Sequence, residues 1–151
     1  MIRLDLIEPA WINDVVDNPA DQCAHGKVRL VIDETPILEP FDGEFTVSAT
    51  ALHLLRTVEL DSTPEAPVAE GCQFVPCCAH SLFTAEAARF GFVAIGCPHG
   101  IELDVTHHGE TVEIKRRDTA VQAAVSAKEW RDAVLGFAVQ VKRFYESSEP
   151  K

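Results

Sequence analysis

The sequence predicts an α+β domain: a mainly antiparallel sheet with a C-terminal β-meander, packed on one face by two main helices at about 48–60 and 127–146. Apolar and polar residues alternate through "KVRLVIDE", "IELDVTH" and "ETVEIKRR", the period-two pattern of half-buried strands. In "SATALHLLRTVELD" and "SAKEWRDAVLGFAVQVKRFYESS" the apolar residues recur at three- and four-residue spacing, which lays them along one side of a helix. Short turns, "HG" and "CPHG", join consecutive strand-like runs as hairpins.

The elements follow in chain order. "IRLDL" alternates as a short strand, and "EPAWINDVV" reads as the start of a helical turn with Pro9 near its first position. "DNPADQCAHG" is a loop. In "KVRLVIDE" Val28, Leu30 and Ile32 share the buried side, and "TP" and an "FDGEF" turn follow. Thr46 or Ser48 caps the first helix, whose apolar side carries Ala51, Leu52, Leu54, Leu55 and Val58, with Thr50, His53 and Thr57 opposite. "DSTPEAPVAEG" has two prolines and no periodicity, the pattern of a mobile acidic loop, and a short helix begins at Thr84.

Beyond Phe90, "FGFVAIG" is an apolar run of strand length. A His108–Gly109 turn would pair Val105 with Val112 and Leu103 with Ile114, and set Glu102 opposite Lys115. The "CPHG" loop would likewise set Ala94 against Leu103 and Phe92 against Val105. "AVQAAV" adds a strand. Ser126 and Glu129 then form a capping box for the last helix, whose stripe of Trp130, Ala133, Val134, Phe137, Ala138, Val141, Phe144 and Tyr145 lies on the sheet.

At 151 residues the chain has the size of a single domain, 1–151, and buries enough surface to fold without a metal or disulfide. No apolar run reaches the ~20 residues of a membrane helix. "MIRLDLIEPA" is acidic where a signal peptide is basic and then apolar, so the expectation is a soluble cytoplasmic protein. Five cysteines then stand as reduced thiols. The net charge of −11 is uneven: residues 1–114 carry −14 and residues 115–151 carry +3. An acidic body repels phosphate backbones and anionic lipids, which argues against nucleic-acid and membrane partners and leaves a basic protein.

The concentrated chemistry lies between residues 72 and 99, where Cys72, Cys77, Cys78, His80, Cys97 and His99 are candidate metal ligands. Thiolates and neutral imidazoles are the usual donors of tetrahedral zinc, so zinc is the cofactor such a set would hold. Their spacing departs from a zinc knuckle, since Cys77 and Cys78 are adjacent and one residue separates Cys97 from His99. Cys77 and His80 could instead meet on one helical turn after Pro76 as nucleophile and base. The plainest reading makes the cysteines small apolar residues at the core edge. His107 and His108 flank a turn, and His25 and His53 could serve as bases only if folding carried them to the cysteines. There is no phosphate-binding glycine loop, nucleophile elbow, H-E-x-x-H helix or dinucleotide fingerprint.

"CPHGIELDVTHHGETVEI", followed by an amphipathic helix ending in "FYESSEPK", resembles a group of uncharacterised small single-domain bacterial proteins. The resemblance covers the last third of the chain, implies a bacterial source and a free-standing domain, and brings no function with it. These readings favour a non-enzymatic protein-binding module of the immunity or antitoxin type, covering a basic partner with Asp61, Glu65 and Glu70. The alternatives are a zinc-stabilised domain and a cysteine-dependent enzyme. The oligomeric state is left open.

Overall fold

Strand alternation is realised most fully at the N-terminus. In the computed structural model, which describes residues 1–11, 24–77, 79–84, 89–90, 92–96 and 99–147, β1 (Ile2–Trp11) pairs antiparallel with β2 (Ala24–Ile32). Val28, Leu30 and Ile32 are buried, as their alternation requires. The chain then turns tightly at Asp33–Glu34, both with positive φ, into β3 (Thr35–Leu38). A 3₁₀ turn (Pro40–Asp42) and the short β4 (Phe45–Thr46) complete this four-stranded sheet.

The predicted helical turn at Pro9 is not formed, because β1 runs through to Trp11. A bulge between Ile7 and Ala10 absorbs the Glu8–Pro9 pair: Pro9 has no N–H for the ladder, and Glu8 takes a positive φ of 50°. The rest of that predicted turn, and residues 17–23 of the predicted loop, lie outside the described residues.

The first predicted helix is α1 (Val47–Arg56). Its polar side is not solvated: Thr50, His53 and Thr57 are buried, while Leu55 is 39% exposed. Each of these polar groups meets a backbone carbonyl, Thr50 and Thr57 those of Thr46 and Leu54 beside them, and His53 one from the segment 57–77, which folds back over the helix. His53 Nδ1 donates to the Phe74 carbonyl at 2.8 Å. Thr57 Oγ1 donates to the Leu54 carbonyl at 2.6 Å and accepts from the Trp130 indole at 3.2 Å.

That segment is pinned rather than mobile. Ser62 bridges Val105 through reciprocal backbone hydrogen bonds of 2.8 and 2.9 Å, and Val75 bridges Ile101 through two of 2.9 Å. Arg56 Nη1 donates to the Val68 carbonyl at 2.7 Å. The segment therefore takes the edge of β7 (Leu103–His108) that the sequence assigned to "FGFVAIG". β6 (Phe92–Gly96) pairs instead with β5 (Ala79–Thr84), so the hairpin expected across "CPHG" is replaced by a β5–β6 pair. Thr84 ends β5; the helix predicted to begin there falls on residues 85–88, outside the described residues.

The C-terminal meander of β7, β8 (Thr111–Arg116) and β9 (Gln122–Ser126) forms as expected, with its register moved by two residues. The tight turn is Gly109–Glu110, not His108–Gly109, so Val105 faces Ile114 and Leu103 faces Arg116. Gly109 takes φ 65° as the first turn residue, the glycine-first pattern of a type II′ hairpin. A shift of two leaves every side chain on its predicted face. Lys115 now opposes Asp104, and Glu102 reaches Arg117 at 3.5 Å.

Ser126 Oγ accepts from the Glu129 backbone at 3.1 Å and opens α2 (Ala127–Ser147). α2 crosses β1 and packs on α1, burying Trp130, Val134, Phe137 and Val141 in one core with Leu30, Leu54, Val105 and Ile114. Each such side chain contributes roughly 1.5–3 kcal/mol of burial. Among the described residues no helix is long and apolar enough to cross a membrane.

Candidate functional site

Two pairings set the frame of the cysteine region. Val75 pairs with Ile101, and Ala79 with Gly96, so the flanks of the two cysteine-bearing runs are joined at both ends. Gly100 is fixed by this closeness: a Cβ there would stand 2.5 Å from the Val75 carbonyl oxygen and 2.8 Å from Gln73 Cβ. Cys78 and Cys97 themselves, and the side chain of His80, lie outside the described residues. Because β5 is a strand, His80 does not share a helical turn with Cys77.

Cys72 is a half-buried free thiol. Burial pushes its pKa up to about 11, the Glu102 carboxylate adds to this, and Arg56 opposes it. At neutral pH it is therefore a neutral thiol, the opposite of the low-pKa environment that activates a nucleophile. Cys77 is half-buried, and its carbonyl lies 3.1 Å from Nε2 of His25, which also contacts Thr46 Oγ1 at 3.3 Å. Folding has thus carried His25 to the Cys77 backbone and His53 to the Phe74 carbonyl. His99 is exposed. Among the described residues no three His, Cys, Asp or Glu side chains converge to hold a metal.

The three acidic residues selected from the sequence differ in availability. Asp61 accepts from the His107 backbone N–H at 2.7 Å and from His107 Nδ1 at 2.9 Å, and these bonds hold its carboxyl below the ordinary range. Glu70 accepts from the Arg89 N–H at 2.6 Å. Glu65 is exposed.

The turn after β3 holds a feature that sequence reasoning passed over. Phe41 is 80% exposed on the 3₁₀ turn, with Glu39, Asp42 and Glu44 around it in the chain. Its backbone is clamped. Asp42 N–H donates to the Glu39 carbonyl at 2.9 Å, and the Glu39 N–H to Asp42 Oδ2 at 2.7 Å. Arg116 then ties this turn to the meander, reaching Asp42 Oδ2 at 2.8 Å and the Ile37 carbonyl at 3.2 Å. The guanidinium also grips Asp118 through Nε at 2.6 Å and Nη2 at 3.1 Å, and these carboxylates, Asp118 foremost, hold it firmly charged. The side chains of Arg116 and Asp42 are only 13% and 10% exposed. A large aromatic between Pro40 and the Asp-Gly turn was the available signal, since turn chemistry gives such a residue no core to enter.

Compared with known protein families, curated proteins and solved structures, the chain matches none.

Proposed function

We propose that the chain is a non-enzymatic protein-binding module, of the kind that covers and neutralises a basic protein, with the Phe41 turn as its anchor. The observation that carries this reading is an aromatic ring 80% exposed on a backbone tied down by Asp42 and Arg116. Exposing a phenylalanine loses the burial free energy it would gain in a core, and a rigid turn keeps the ordering cost of binding low. Aromatic anchors that fill a partner's pocket dominate many interfaces, and the surrounding Glu39 and Glu44 would steer a basic partner toward it. Glu65 is the remaining acidic candidate not engaged by a hydrogen bond described above, whereas Asp61 and Glu70 serve the fold first.

Affinity capture from extracts of the source organism tests the reading, with Phe41→Ser and a Glu39→Lys/Glu44→Lys pair beside the wild type. A stoichiometric basic partner is expected at low salt. Its affinity should fall about 30-fold or more with Phe41→Ser, and should weaken with salt and with charge reversal. Equal retention by Phe41→Ser would overturn the proposal.

The paired flanks of the cysteine runs favour a second reading, a structural zinc held by donors from among Cys72, Cys77, Cys78, His80, Cys97 and His99. It requires about one equivalent of zinc in the purified protein. Metal content below about a tenth of an equivalent, with no chelator effect on melting, eliminates it.

A further inference from the structure

α2 carries a second stripe, facing away from the core. Lys128, Asp132, Leu135, Val139, Lys142 and Glu146 are all exposed and recur at alternating spacings of four and three residues, the 3.5-residue repeat of a coiled-coil seam. Its centre is apolar: Leu135 is 47% and Val139 43% exposed. Leu55 and Leu60, 39% and 38% exposed, border with Leu135 a shallow depression of about 340 Å³. The stripe is also complementary to its own reverse. Turned antiparallel about Phe137, it sets Leu135 against Val139, Asp132 against Lys142, and Lys128 against Glu146. Both charge pairs already exist within the helix, Lys128–Asp132 at 2.6 Å and Lys142–Glu146 at 3.6 Å, so pairing two copies would close a four-charge cluster at each end.

We propose that a second copy of this chain docks antiparallel on this face of α2, forming an isologous two-fold dimer. Three further features agree. The stripe lies in the 115–151 segment of charge +3, where two copies with a −14 body meet with least repulsion. Gly136 flanks the apolar centre with open space around it, which lets two helix backbones approach. Arg131 and Arg143, whose charges could clash, are twelve residues apart and so stand about 120° apart around the axis, on opposite flanks of the stripe.

Sedimentation equilibrium of the full chain, over concentrations on the order of 10 μM to 1 mM, reads the dimer directly, since a seam of this size belongs to the weak class of interfaces. The wild type should dimerise, and Leu135→Glu should remain monomeric. Asp132→Lys and Lys142→Asp should each weaken the dimer about tenfold or more, because each places like charges across the two-fold twice. Mixed one to one, those two variants restore both cross pairs and should dimerise with each other. All are exposed substitutions, and circular dichroism checks that the helix is retained. A wild type monomeric throughout, a Leu135→Glu dimer as strong as the wild type, or a mixture no stronger than its components would each overturn the proposal.

Discussion

His53 is a base buried where its charged form is costly, and acidification should therefore loosen the link between α1 and the segment leading to the cysteines. Burial lowers its pKa to about 4 from 6.5; the hydrogen bond to the Phe74 carbonyl opposes this and Arg56 adds to it. The unfolded chain takes up the proton near pH 6.5 and the folded chain only near pH 4. The stability this group contributes is thus complete above about pH 6.5 and is lost as pH falls toward 4. A shift of about 2.5 units, at roughly 1.4 kcal/mol per unit, corresponds to about 3 kcal/mol. His53→Asn keeps a donor for Phe74 and removes the titration. Urea unfolding at about pH 7.5 and about pH 4.5 measures both proteins. The wild type should lose about 2–3 kcal/mol more than the variant over that interval. Carboxylates such as Asp61 titrate in both and cancel in the difference. Equal losses in the two proteins would refute the assignment of this acid sensitivity to His53.

Two further substitutions test the frame around the candidate sites. Gly100→Ala drives a methyl group into the Val75 carbonyl and should cost about 1–3 kcal/mol in urea unfolding, with faster hydrogen exchange at the Val75 and Ile101 amides. Arg116→Ala leaves Asp42 largely shielded without its cation and should cost about 2–3 kcal/mol, with the Phe41 turn gaining nanosecond motion in NMR relaxation; unchanged order parameters there would contradict the clamp.

The elements that were legible in the sequence are those whose periodicity is local. Val28, Leu30 and Ile32 announce β2, and the stripe from Trp130 to Val141 announces α2, because one face of each is apolar throughout. The meander's faces were readable for the same reason. Its register was not: moving the turn from His108–Gly109 to Gly109–Glu110 preserves every face, and a positive φ at Gly109 suits both turns, so the pairing of His108 with Thr111 distinguishes the two. The segment 57–77 escaped detection because its order comes from two isolated bridges and from side chains bonding to carbonyls. The burial of Thr50, His53 and Thr57, which the sequence sets opposite the apolar side of α1, was not legible either, because it depends on bonds to carbonyls that no periodicity announces. The frame pairing Val75 with Ile101 and Ala79 with Gly96 joins the flanks of the two cysteine runs through backbone pairings of distant segments, which no local pattern announces. The exposed aromatic at Phe41 was hidden inside what read as an ordinary turn.

Site-specific photocrosslinking at position 41 in the native host tests protein binding through the Phe41 turn most directly, with position 110 on the Gly109–Glu110 turn as control. The account predicts one discrete adduct with a basic protein from position 41 and none from position 110. No adduct from position 41, or the same adduct from both positions, would contradict it.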